Sequence, residues 1–191
     1  SRGMRPFIVT TAVEASLVRT NKYAVWHRIE LEGGLALVVG VGYFPNAQDN
    51  KGHERANADL REALAYFNSQ GVHVVFGGDL NAHTGANGDA SPVDAAGRMI
   101  LESARLSDMV VVNTMPGVCV GGPSRRQVRE DGTQESTVDY VLCSTSMTDM
   151  VDRMVIEEGQ MGSDHRPLVL YLRGLTAKKP KTATPREVWD V

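Results

Sequence analysis

An α/β domain with mixed β-sheets is what this sequence predicts, on three observations. Strand-length apolar runs alternate with stretches of helical spacing, two early strand-like runs flank a Gly-Gly turn, and polar motifs follow several strands. In residues 11–18 and 23–31 apolar positions recur near period two, so Tyr23, Val25, Ile29 and Leu31 share one face of a strand. Glu32-Gly33-Gly34 makes a turn. The valine-rich run LALVVGVGYF then reads as a strand buried on both faces, closing a hairpin. From Glu54 to Phe67 the spacing changes: Ala56, Leu60, Ala63, Leu64 and Phe67 fall on one helical stripe, which stops at residues 68–71. VHVVF is a third buried strand. A polar, glycine-rich loop runs through Pro92, then an amphipathic helix over 94–106 and the short strand MVVV. Residues 117–136 read as a long polar loop. The strand STVDYVLCS, a helical turn over 145–150, a strand over 153–156 and the strand LVLYL complete the pattern. The last stretch, 175–191, holds Lys178, Lys179, Pro180, Lys181 and Pro185 and reads as a linker or tail on a domain spanning 1–174.

Composition narrows the function classes. The chain has 191 residues, 42% hydrophobic and 23% charged, enough to bury a sizeable core in one domain. A net charge of −3 advertises no global polyanion affinity, so binding to nucleic acid must come from a local patch or a metal ion. Cys119 and Cys143 form no C-x-x-C pair, which favours free thiols in a reducing, intracellular compartment. No apolar run reaches membrane-span length, and no membrane partner is expected.

Three motifs sit where strands end, the position from which α/β scaffolds present reactive groups. They are GGDLNAHTG (Gly77 to Gly85), STVDY (Ser136 to Tyr140) and GSDHRPL (Gly162 to Leu168). In the first, an extended segment would put Asp79 and Asn81 on the same side, with Gly77 and Gly78 letting a substrate approach the backbone. An acid beside an amide can hold one water: the carboxylate accepts its proton and the amide orients it. In the third, Asp164 and His165 precede Arg166-Pro167 at a rigid corner, and Asp139 upstream can accept from the imidazole and fix its tautomer. A serine-hydrolase triad would use similar residues, but no G-x-S-x-G elbow is present.

Together these motifs, with GYFPN (Gly42 to Asn46), resemble the endonuclease/exonuclease/phosphatase superfamily, whose members carry Y-x-P-N, G-D-x-N-A, x-D-Y and S-D-H segments in this order. The resemblance implies a DNase I-like, four-layered α/β sandwich with mixed β-sheets and a divalent ion, Mg2+ or Mn2+. It implies a water-activating acid at Asp79 and a partner in positioning water at Asn81. Tyr43 and Asn46 match groups at the scissile phosphate. Asp139 matches the carboxylate that orients the histidine, Asp164 an acid near the metal, and His165 the histidine at the phosphate. Asp164, Asp79 and Asn81 are thus the expected metal neighbours. Family members also carry an early strand asparagine and a Q-E glutamate that is the principal metal ligand. Neither is present here, and Glu14 lies too close to Tyr43 to serve, so the first strands of the family domain are expected to be missing.

Within the superfamily, GDLNAHTG, MVVVNT and TVDYVLCS resemble the endonucleases of LINE-like retroelements, and PREVWDV their connector towards a reverse transcriptase. The resemblance implies duplex DNA as partner and action in the nucleus, with Arg125, Arg126 and Arg129 of the long loop on its phosphates. The missing N-terminal segment and a downstream reverse transcriptase domain are further implied partners. A small-substrate phosphoesterase and a non-catalytic binding module of the same fold are the competing readings.

Overall fold

A computed structural model of the chain describes residues 15–86, 89, 91–130, 132–158, 162–176 and 178. The expected strand over 11–18 is seen from Ala15 onward; Glu14, the tail beyond Lys178 and the side chain of Arg129 lie outside the described residues.

Strands β1 (Ala15–Thr20), β2 (Ala24–Glu30) and β3 (Ala36–Tyr43) form an antiparallel meander, with the predicted hairpin between β2 and β3. Helix α1 (Asn50–Ser69) starts earlier than the apolar stripe suggests, because the Asp49 side chain caps the Gly52 N–H and begins the helix one polar turn upstream. It crosses to β4 (His73–Asp79), which lies parallel to β3. Helix α2 (Ala95–Leu106) is capped in the same way by Asp94. Strands β5 (Met109–Val111) and β9 (Asp139–Ser144) complete a mixed six-stranded sheet in the order β1-β2-β3-β4-β9-β5. A second sheet holds β6 (Cys119–Val120), β10 (Val151–Ile156) and β11 (Leu168–Leu172) in the order β11-β10-β6.

Residues 117–136 are not a loop. Beyond β6 they fold into a two-stranded hairpin, β7 (Arg125–Arg129) and β8 (Gly132–Ser136). Its strands carry almost no apolar side chains and bury no face, so the period-two signal that betrays a strand is absent and only backbone pairing defines it.

Two cores flank the large sheet. On one side Trp26, Phe44, Phe67 and Phe76 pack with the buried stripes of α1 and α2; the Trp26 and Phe76 rings stack at 5.0 Å. On the other, Leu37, Val141 and Cys143 meet Met154 and the rest of the apolar face of the small sheet. Helices, large sheet and small sheet make three of the four layers of a DNase I-like sandwich among the described residues, an α/β fold with mixed sheets. Past β11 the chain stays attached: Leu175 packs on the second core and the Glu32 N–H donates to the Thr176 carbonyl. Cys119 and Cys143 are free thiols. No helix among the described residues is long and apolar enough to cross a membrane.

Candidate active site

The register of the large sheet assembles the site. Tyr43 ends β3 opposite Asp79, which ends β4 opposite Asp139, which begins β9. Because β3 and β4 run parallel and β9 antiparallel, two strand ends and one strand start meet in a single row at one edge of the sheet.

Beyond Asp79 the chain is not extended. Asn81 sits at φ 45°, a left-handed conformation that costs a non-glycine residue energy and must be held in place. Its N–H donates to Asp79 Oδ1 at 3.1 Å and its side-chain amide to the Phe44 carbonyl at 3.0 Å. The turn, rather than strand alternation, therefore places Asn81 beside Asp79. The glycines of the motif also serve a different purpose from the expected one. Gly78 has φ 148°, and a Cβ there would run into the Gly42 carbonyl, while one at Gly77 would meet the Tyr140 carbonyl at 3.2 Å. Neighbouring strands, not substrate, fill that space.

His165 joins the row from the loop before β11. Its Nδ1 lies 2.9 Å from Asp139 Oδ2, and its Nε2 is 3.8 Å from Asp79 Oδ2 and 3.9 Å from Asp164 Oδ1. The hydrogen bond to Asp139, then the charges of Asp139, Asp79 and Asp164, raise the His165 pKa above the usual imidazole value against the opposing effect of burial. Burial, reinforced by Asp139, pushes Asp79 up to about 6. For Asp164 burial works against the charged form, yet hydrogen bonds from Arg125 Nε (2.8 Å) and Gln127 Nε2 (3.0 Å) hold its carboxyl below the ordinary range. Ligand atoms of Asp79, Asp139 and His165 lie within 4.8 Å of one another, a donor set of two carboxylates and an imidazole that suits a divalent cation. Asp164, expected near the metal, has Oδ1 3.9 Å from His165 Nε2 while its Oδ2 accepts both hydrogen bonds from the hairpin.

Tyr43 is 68% exposed at the mouth of the row. Asn46 is exposed in the following turn, its side-chain oxygen accepting the Gln48 N–H. Arg125 lies beside the site with its guanidinium on Asp164, and Arg126 is 3.8 Å from Glu135 on the partner strand. The hairpin is stitched to the His165 loop by backbone bonds from Arg126 to Asp164 and from Arg166 to Ser124, which bridge His165 to Arg125 of β7 in antiparallel fashion.

Three supporting residues were not singled out from sequence. Ser124, fully buried, donates to Asp139 Oδ2 at 2.7 Å and accepts the N–H groups of Val138 and Asp139. Asn113 clamps β9 from the other side, donating to the Asp139 carbonyl and accepting the Val141 N–H. Tyr140 donates to the Thr137 carbonyl at 2.7 Å and accepts the Thr84 N–H, tying β9 to the loop that carries Asn81; burial pushes its phenol up to about 12. A serine and an asparagine in polar sequence carry no periodic signal. Tyr140 was legible only as part of the D-Y pair.

Residues 37–169 match the family model described as endonuclease-reverse transcriptase. The chain belongs to that family. The match places it in the endonuclease/exonuclease/phosphatase superfamily. Among solved structures, the endonuclease domain of TRAS1, a telomere-specific non-LTR retrotransposon, superposes with a TM-score of 0.70 at 20% identity, covering 84% of this chain and 69% of that one. The AP endonuclease LMAP from Leishmania major gives 0.64 at 14% identity, covering 79% and 54%. The APE2 catalytic domain of Xenopus laevis gives 0.58 at 16%, covering 83% and 56%. At these identities the likeness is one of fold, and the chain spans little more than half the length of the latter two. No curated protein matches.

Proposed function

We propose that this domain is a metal-dependent phosphodiesterase that nicks duplex DNA in the service of a retroelement. The observation that carries the reading is the approach of Asp79 and His165 to 3.8 Å at one end of the sheet, with the Asp79 pKa at about 6. A carboxylate with that pKa is ionised at neutral pH and is still basic enough to take a proton from water. The attacking water loses its proton to Asp79 as its oxygen bonds to phosphorus, and the P–O bond to the leaving sugar oxygen breaks. Asn81 orients that water, since the bond to the Phe44 carbonyl uses one of its two amide protons and leaves the other free to donate. His165, held by Asp139, donates from Nε2 to a phosphoryl oxygen, and Tyr43 and Asn46 contact the phosphate from the β3 side. A divalent ion, Mg2+ or Mn2+, held by Asp79 with Asp139, and by Asp164 if the hairpin releases it, would offset charge on the phosphate and the leaving oxygen.

Duplex DNA is favoured over a small phosphoester by the hairpin. It stands beside His165 with Arg125 and Arg126 along β7 and the side chain of Val128 76% exposed, a flank beyond the catalytic row that an extended substrate would meet. Action on chromosomal DNA would place the protein in the nucleus, joined to a reverse transcriptase downstream and completed by an N-terminal segment that supplies further metal ligands.

Incubation with supercoiled plasmid and Mg2+ tests the reading. The wild type is expected to give relaxed circles, and Asp79→Ala and His165→Ala to lose at least about a hundredfold in rate. Equal nicking by all three would show the site to be irrelevant. Absence of nicking, with DNA binding intact, would favour a non-catalytic module.

A further inference from the structure

The two ring nitrogens of His165 have different fates. Nδ1 is bonded to Asp139 Oδ2 at 2.9 Å, whereas Nε2 makes no hydrogen bond among the described residues, although two carboxylates stand close to it: Asp79 Oδ2 at 3.8 Å and Asp164 Oδ1 at 3.9 Å. A charge-assisted bond needs about 2.7–2.9 Å, so each acid stops about 1 Å short. Asp164 is next to the histidine in the chain and only half-buried, and a small turn of its side chain would close the gap.

Each carboxylate is held back by its other oxygen. Asp79 Oδ1 accepts the Asn81 N–H at 3.1 Å from the left-handed turn. Asp164 Oδ2 accepts from Arg125 Nε at 2.8 Å and from Gln127 Nε2 at 3.0 Å. Arg125 and Gln127 are two residues apart on β7, so strand alternation turns both towards the same face and lets them converge on one oxygen. The strand itself is fixed against the histidine loop, by the antiparallel bridge of Arg125 to His165 and by the Arg126 N–H donating to the Asp164 carbonyl at 2.8 Å. To swing onto His165, Asp164 would have to give up two donors, one of them charged.

We propose that Arg125 and Gln127 are positioning residues: they hold Asp164 by Oδ2, keep its Oδ1 off His165, and so leave Nε2 open to an incoming oxygen of a phosphodiester. Arg125, expected on a DNA phosphate, works through Asp164 instead. Without the pair, Asp164 bonds Nε2 and the imidazole is tied at both nitrogens, with no donor left for substrate. In this role neither residue touches the reacting atoms. The open Nε2 stands on the structure alone; its consequence for cleavage rests on the function proposed above.

The test compares the full chain with Gln127→Leu, Arg125→Gln and the two together, each also in an Asp164→Ala background. Metal-free NMR at about pH 5.5, where a protonated imidazole carries an N–H at each nitrogen, reads the ring directly. The wild type is expected to show one slowly exchanging, downfield ring N–H from His165, at Nδ1. The double variant should show a second, at Nε2, which disappears again with Asp164→Ala. The Arg126 amide should stay protected throughout, because its bond to the Asp164 carbonyl is untouched. In plasmid nicking, Gln127→Leu is expected to lower kcat about threefold and Arg125→Gln about tenfold with KM within about twofold, and both losses to shrink below about twofold in the Asp164→Ala background. A single His165 ring N–H in every variant overturns the proposal. So does loss of Arg126 protection in both single variants, which would make the pair a staple of the loop. An Arg125→Gln loss that persists undiminished without Asp164 also overturns it, being the mark of a direct grip on DNA. If the wild type itself does not nick, the proposed function fails while the ring spectrum still decides the role of the pair.

Discussion

His165 Nε2 faces Asp79 Oδ2 across 3.8 Å, although one residue lies in the loop before the last strand and the other ends the fourth. The two groups are displaced upward from their ordinary pKa values, the carboxyl chiefly by burial and the imidazole chiefly by its bond to Asp139. Asp79, at about 6, is thus ionised yet still basic at neutral pH, and the shift of His165 favours its proton-bearing form.

The first consequence is a pH–rate profile. If Asp79 is the base, kcat/KM for nicking rises about tenfold per pH unit on an acidic limb that levels off at or below about 6, since a bound divalent cation favours the carboxylate. Initial rates between pH 4.5 and 8 measure it. A rate independent of pH across this interval would remove Asp79 from the proton-accepting role.

Stability should carry the same signature with a sign that can be worked out. The folded protein binds the Asp79 proton more tightly than the unfolded chain, whose value is near 3.8, so stability is highest below that pH and falls as pH rises towards about 6. Above it, the ionised carboxylate costs on the order of 1–3 kcal/mol. Asp79→Asn is expected to raise the metal-free melting temperature at pH 7 and to have no effect at pH 3.5. Millimolar Mg2+ is expected to stabilise the wild type at pH 7, by a few degrees, and the variant much less. Calorimetry with EDTA or Mg2+ reads both effects.

Asp139→Asn removes the largest cause of the raised His165 pKa. The imidazole should then titrate at lower pH, followed by its Cε1 proton in NMR. Because a raised histidine pKa stabilises the fold below about 6.5 and loses that effect as pH rises through the folded value, the variant should lose stability at pH 5.5 more than at pH 8. Nicking should fall at least about a hundredfold. An unchanged His165 titration would mean that the 2.9 Å contact does not govern the imidazole.

Ser124→Ala leaves the N–H groups of Val138 and Asp139 without this acceptor and takes from Asp139 Oδ2 the hydroxyl that donates to it alongside His165, in a partly buried setting. The expected loss is about 1–3 kcal/mol in urea unfolding. Activity should drop beyond what stability explains, because Asp139 is freed to turn away from His165. A variant as active and as stable as the wild type would contradict both parts.

Local order was written in the sequence. The stripe from Ala56 to Phe67, the amphipathic spacing over 94–106 and the valine-rich run of β3 announce helices and buried strands, because periodicity reports which face is turned from water. The motifs at Asp79, Asp139 and His165 named side chains that the fold brings together. Sequence could not reveal the hairpin of β7 and β8, whose strands bury no face, nor the left-handed turn at Asn81. Ser124 was equally silent, since a buried polar residue owes its importance to partners distant in the chain. Above all, only the tertiary structure decided that Tyr43, Asp79 and Asp139 stand in one row. Strand register is a long-range property, set by the pairing of β3, β4 and β9 and by glycines that let Gly42 and Gly78 touch, and no local pattern encodes it.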